Sequence, residues 1–180
     1  MWYVVNTTNV KEDVEIERCR NAIPYEIVDI IFSPSYECKR RYLGEWHTEV
    51  NKLFPGYLFI YSDDVDELKR HLDHILDTVT PVIVGGEFSH IQQGEQAFLS
   101  EMFDSDYCIR CSLGYIVDGQ VIVEKGPLQG KEKYIKKIDR HRRIANILLP
   151  FMGEDRLVKV GLEVPKRLTT VEYQKMKEEM

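Results

Sequence analysis

Leu53-Phe54-Pro55-Gly56-Tyr57-Leu58-Phe59-Ile60 is a turn that delivers a strand. Pro55 fixes one backbone angle and Gly56 permits the tight reversal. From Tyr57 onward side chains alternate, so Tyr57 and Phe59 share one face and Leu58 and Ile60 the other. One face can pack on helices and leave aromatic rings for a partner, because rings bury large area at little entropic cost. The alternative is that the domain's own elements cover both faces, which periodicity alone favours. Tyr3, on the first strand, extends the aromatic set. Asp63, Asp64, Asp66 and Glu67 either pair with a basic partner or solvate a helix start.

Working outward, Trp2-Tyr3-Val4-Val5 reads as a buried first strand. Asn9 and Glu12 resemble a capping box before a helical face of Val10, Val14, Ile16, Cys19 and Ile23, closed by Pro24. A β-rich stretch covers residues 25–32, and residues 36–46 form a hairpin turning near Gly44. Asp64 caps the clearest helix, with Val65, Leu68, Leu72, Ile75 and Leu76 on one face. A short strand at 81–84 and a weaker helix at 94–103 complete an α+β sandwich of about 100 residues. Beyond Asp104 short strands recur at 114–117, 121–125, 134–139, 144–149 and 157–162, separated by turn residues. That spacing indicates a small β-barrel. Ile135 and Ile138 differ in parity, which places a bulge between them. The expected division is a domain at 1–104, a linker at 105–112 without glycine, a barrel at 113–168 and a polar tail at 169–180 ending in a frayed helix.

The chain has 180 residues, 43% apolar and 30% charged, within the ordinary range of a globular protein. No apolar run approaches the roughly 18–20 residues that span a bilayer. No basic segment followed by an apolar stretch opens the chain. Four cysteines without a regular framework imply reduced thiols and a cytoplasmic location. A membrane protein, a disordered chain and a disulfide scaffold are excluded. The net charge of −6 conceals an asymmetry: residues 1–111 hold 10 basic against 20 acidic side chains, and residues 112–168 hold 12 against 7. A short basic part suits a polyanionic partner.

Lys131, Lys133, Lys136, Lys137, Arg140, His141, Arg142 and Arg143 fall within thirteen residues, interrupted in charge only by Glu132 and Asp139. Arginine forks contact phosphates or guanine edges, and folded RNA is read through bulges and unstacked loops. The alternative is a solvated basic face. His141 either stacks on a base or caps the turn. Lys39, Arg40 and Arg41 form a second cluster on a hairpin arm of the acidic part. They either contact phosphates of an exposed DNA strand or blunt a sheet edge. Gly126 and Gly130 are turn residues, since the Lys-Ser/Thr ending of a phosphate loop is missing. Cys108 and Cys111 have the spacing of a redox pair or half a zinc site, but no second close pair accompanies them. His71, His74 and Asp77 recur at spacings of three, without a fourth ligand. No catalytic constellation, metal site or cofactor site is expected, and the chain reads as a non-enzyme.

Three segments together resemble NusG-type transcription factors: Trp2-Tyr3-Val4-Val5, the 53–60 block, and Val121-Ile122-Val123-Glu124-Lys125-Gly126-Pro127-Leu128-Gln129-Gly130. They stand in this order and spacing, and the resemblance covers nearly the whole chain. The resemblance implies an amino-terminal NGN domain, with a four-stranded mostly antiparallel sheet and flanking helices, followed by an SH3-like KOW β-barrel. It implies that the NGN domain docks on the clamp helices of RNA polymerase through Tyr3, Phe54, Pro55, Tyr57 and Phe59. Lys39, Arg40 and Arg41 then lie toward the non-template DNA strand. Residues 136–143 and Val160-Gly161-Leu162-Glu163-Val164 look most like the LoaP antiterminator paralogues, in which the KOW domain binds a hairpin of the nascent leader RNA. In housekeeping members that domain recruits a ribosomal protein or a termination factor, so a general elongation factor is the alternative. In RfaH-like members a His-Thr-Thr run on the second helix touches the polymerase's other jaw. Here that region reads Leu68-Lys69-Arg70, a departure at that contact.

Overall fold

A computed structural model describes residues 1–8 and 11–179. Strands β1 (Trp2–Thr7), β2 (Ile30–Phe32), β3 (Ser35–Tyr42), β4 (Glu45–Lys52), β5 (Tyr57–Tyr61), β6 (Val79–Pro81), β7 (Ile83–Val84) and β8 (Glu87–Phe88) interleave with three helices. These are α1 (Glu12–Ala22), α2 (Val65–Leu72) and α3 (Gln93–Met102). Then follow β9 (Cys108–Ile109), β10 (Ser112–Val117), β11 (Gln120–Lys125), β12 (Ile135–Asp139), β13 (Ile144–Phe151), β14 (Glu154–Glu163), β15 (Arg167–Leu168) and α4 (Thr170–Glu178). Packing divides the chain into two units built from non-contiguous segments. The first is Met1–Ser35, Lys52–Ser100 and Pro150–Glu154, and the second is Tyr36–Asn51, Glu101–Leu149 and Asp155–Met180.

The first unit is built on a four-stranded sheet in the order β2-β5-β1-β6. β1 runs antiparallel to β5, pairing Val4 with Phe59, Tyr3 with Ile60 and Val5 with Leu58. Directly paired residues point to the same side of a sheet. Tyr3, Val5, Leu58 and Ile60 therefore face α1 and α2, in a core with Cys19, Leu68, Leu72 and Val79. Leu68 and Leu72 are fully buried, each worth about 1.5–3 kcal/mol. Asp64 caps α2 by accepting hydrogen bonds from the amides of Asp66 and Glu67, at 3.2 and 3.0 Å, a contribution of about 1 kcal/mol.

Several local expectations differ in detail. Asn9 and Val10 lie outside the described residues, and the Glu12 carboxylate accepts instead from the Gly56 amide at 2.9 Å. Val14 is 55% exposed, because α1 turns Cys19 and Ile23 inward and Val14 away. Residues 25–27 form a turn, and the β-rich stretch shrinks to β2. α2 ends at Leu72 and continues as a 3-10 turn over Asp73–Ile75, which leaves Leu76 44% exposed.

The second unit carries a six-stranded sheet in the order β11-β10-β14-β13-β12, with β15 paired to β10. Up to Leu149, its last residue in this unit, β13 alternates half-buried and buried positions, the period of a strand with one core face. Ala145, Ile147, Leu149, Val158, Val160 and Leu162 fill that core. The β12–β13 register shifts between Ile135 and Lys137, so the expected bulge is present. A separate three-stranded sheet, β4-β3-β9, contains the 36–51 hairpin. β9 falls inside the segment expected to be a linker, where Asp104 accepts from the amides of Asp106 and Cys108 at 2.9 and 3.0 Å. The tail is an ordered helix: Thr169 and Glu172 form a capping box, and Lys177 Nζ donates to Glu124 Oε2 at 2.8 Å.

Candidate nucleic-acid interface

In the second unit β3 crosses β14 at very close range. A Cβ added to Gly161 would sit 2.3 Å from the Glu37 carbonyl oxygen and 2.9 Å from Cys111 Sγ, so only glycine fits. This approach sets the β3–β4 hairpin beside the loop between β12 and β13, and the two basic clusters recognised separately in the sequence meet there. A cleft of about 580 Å³ is lined by Arg41 and Trp46 of the hairpin with Lys137, Arg140, His141, Arg143, Glu163 and Arg167, among others. A second, of about 510 Å³, shares Arg41, Trp46 and His141 and adds Lys39, Arg40, Arg142 and Lys159 to its lining.

The cations differ in how they are held. Arg140 donates to the carbonyls of Val164 and Pro165 at 3.3 and 3.5 Å, which fixes its guanidinium at the cleft wall. Arg143 adopts a positive φ of 54°. Its guanidinium pairs with Glu163 at 2.8 Å and lies 3.7 Å over the Trp46 ring. Arg142 is exposed, with its amide donating to Asp139 Oδ1 at 2.9 Å. Lys136, Lys137 and His141 are exposed. Lys131 turns toward Glu101 at 3.0 Å and is only 18% exposed, while Lys133 lies 5.0 Å over the Tyr134 ring. These two stand apart from both clefts. On the hairpin, Lys39 donates to Thr48 at 2.6 Å, Arg40 pairs with Glu49 at 3.6 Å and Arg41 donates to the Gly44 carbonyl at 3.4 Å. Trp46, Lys159 and Arg167 were not among the expected site residues. Trp46 stands at the end of the recognised hairpin, but nothing local marked it as facing the 139–143 loop.

In the first unit the second face of the sheet carries the aromatic rings. Phe59 and Tyr57 lie there as expected, but Tyr3 does not. Its register opposite Ile60 puts it on the helix side, with its ring 5.0 Å from Phe88. Burial, and then the charges of Asp63, Asp66 and Asp64, push its phenol upward. The residue that extends the aromatic face is Trp2, 5.2 Å from Phe32 and 6.0 Å from Phe59. The parity of β1 carried that signal, since Trp2 and Val4 alternate with Tyr3.

This face is covered. Phe151 stacks on Phe54 at 4.3 Å and lies 5.7 Å from Tyr57 and 5.9 Å from Phe59. Phe54 and Phe59 are buried, Tyr57 is half-buried and Pro55 is exposed. The covering turn is held by Glu95, whose Oε1 accepts from the Gly153 amide at 2.7 Å while Oε2 accepts from Gln92 at 2.9 Å. An exposed aromatic patch is therefore not what the structure presents. The segment that covers it lies some ninety residues further along the chain, beyond the reach of local periodicity.

The remaining constellations resolve into structural contacts. Burial, and then the charges of Glu37 and Glu163, push the Cys111 thiol up to about 11, opposite to the activation of a reactive thiol. Arg110 between the two cysteines is engaged by Asp104, Asp106 and Glu37. Asp77 pairs with Arg18 at 3.0 Å, and the helix ends before His74, so the His71, His74, Asp77 face does not form. Among the described residues no group of three or more His, Cys, Asp or Glu side chains gathers to hold a metal. No helix there is long and apolar enough to cross a membrane.

Comparison with known proteins finds a family and a similar solved structure. A family model described as transcription termination factor nusG matches residues 1–99. A solved structure titled "Domain interaction in Thermotoga maritima NusG" aligns at 23% identity with a TM-score of 0.49, covering 91% of this chain and 93% of that one. No curated protein matches the sequence.

Proposed function

The chain belongs to the NusG family of transcription factors, which act on RNA polymerase, and from that premise we propose that it is a specialised antitermination factor of the LoaP kind. In this reading residues 1–104 are the NGN domain and residues 113–168 the KOW barrel. The aromatic face of Phe54, Pro55, Tyr57 and Phe59, with Trp2 in place of Tyr3, docks on the polymerase clamp helices once segment 150–154 leaves it. The barrel loop captures a hairpin of the nascent leader, which holds the factor on one transcript and keeps the enzyme from pausing there. The protein works without a cofactor or catalytic step, in the cytoplasm.

One observation carries the RNA assignment: cations from two distant segments converge on clefts edged by the 139–143 loop. Such a density repels itself without an anionic partner. Lys136, Lys137 and Arg142 are exposed, with no role in the core. Neutralising all three lowers the slope of log affinity against log salt by roughly 2–3. Binding of a structured leader RNA that ignores both salt and these substitutions would refute the assignment. The second candidate is a general elongation factor whose barrel binds a ribosomal protein or termination factor. It is favoured by the internal pairing of Arg143 with Glu163 and of Lys131 with Glu101. Read-through that does not depend on the leader sequence would select it.

A further inference from the structure

We infer that the β3–β4 hairpin and the 139–143 loop form one composite RNA site, in which the Trp46–Arg143 stack receives an unpaired base of an RNA loop. This rests on the RNA reading above and adds to it a recognition element outside the barrel sheet. Three observations support it.

The first is shape. A cleft of about 580 Å³ lies within the roughly 300–1,000 Å³ of sites that enclose small molecules. It suits a nucleotide-sized group rather than a duplex. The second is the stack itself. Trp46 is 37% exposed, and Arg143 lies 3.7 Å over its ring. Glu163 at 2.8 Å holds the guanidinium in place. A planar cation fixed on an indole is a preorganised platform onto which a splayed base stacks, and unstacked bases are what proteins read in RNA loops. The third is the arrangement of charge. Arg41 on the hairpin side and Lys137 on the barrel side line the same cleft, so phosphates on either side of the bound base meet a cation. Asp139 and Glu163 are carboxylates in that lining. Each keeps spare lone pairs that a ribose 2′-hydroxyl can donate to and a deoxyribose cannot.

The chain contains two tryptophans, and Trp2 is buried at 6% exposure, so quenching of emission by a base reports on Trp46. The experiment titrates the full-length protein with an RNA hairpin bearing an unpaired loop, a fully paired RNA duplex and the deoxy version of the hairpin. The loop RNA is expected to quench Trp46 and to bind more tightly than the other two. Trp46→Leu should weaken hairpin binding about 5- to 150-fold, the range for loss of one base–aromatic stack. Trp46→Phe should restore most of it. If Trp46→Leu binds normally while the Lys136, Lys137, Arg142 triple variant does not, the composite site is wrong and the barrel reading stands. If neither variant loses affinity, both fall. Equal binding of the duplex or the deoxy hairpin overturns the assignment to an RNA loop.

Discussion

Phe151→Ala is the substitution that most directly probes the covered aromatic face. Phe151 is 2% exposed and packs on three rings, at 4.3, 5.7 and 5.9 Å. Truncating a buried phenylalanine costs about 3–5 kcal/mol. Segment Pro150–Glu154 is short, so the loss should appear as easier local opening rather than as global unfolding. At the lower figure of about 3 kcal/mol, the open population rises roughly 150-fold. The Gly153 amide reads this directly, because it is protected by its 2.7 Å bond to Glu95. Hydrogen exchange at Gly153 should accelerate by about that factor in Phe151→Ala. Amides paired between β1 and β5 should keep their protection. The same variant should bind RNA polymerase more readily. Unchanged exchange at Gly153 would show that Phe151 does not hold the cover, and the covered-face account would fail.

Two further outcomes follow from the second unit. Gly161→Ala places a methyl group against the Glu37 carbonyl, and overpacking of this kind costs about 1–3 kcal/mol. Its thermal midpoint should fall by several degrees, and an unaltered melt would contradict the close crossing of β3 and β14. The Glu124 carboxyl is held below its ordinary value by hydrogen bonds from Lys177 and Tyr173, while the Tyr173 phenol is pushed up to about 12 by Glu124. A depressed carboxyl adds stability above its ordinary value of 4.5 and loses it as pH falls through the lower folded value. Acid should therefore release α4. Glu124→Gln should remove that pH dependence and bring Tyr173 back toward 10.0 in a phenolate absorbance titration. A Tyr173 titration that stays near 12 in the variant would contradict the contact.

The elements that local chemistry specifies were legible. Asp64 announced α2, the Tyr57–Phe59 alternation announced the two-faced β5, and the parity of Ile135 and Ile138 announced a bulge. What failed was pairing at a distance. Tyr3 and Phe59 are both aromatic on neighbouring strands, yet the register opposes Tyr3 to Ile60 and a shift of one residue exchanges faces. Phe151 and Trp46 carry no local signal for the same physical reason, since each meets partners brought close by packing rather than by sequence. The convergence of the two basic clusters is likewise invisible locally, although each cluster is plain in the sequence as cations on turns and strand ends.

Glu95 has a consequence for how the aromatic face is uncovered. Its buried side chain divides its oxygens between the Gln92 amide, just ahead of α3, and the Gly153 amide. When the turn lifts, one carboxylate oxygen loses its donor, and an unsatisfied buried anion is costly. Water must enter to replace the amide, so uncovering is a wetting event. Osmolytes excluded from protein surface would hold the turn shut, which makes hydration, alongside any binding partner, a control on access to these rings.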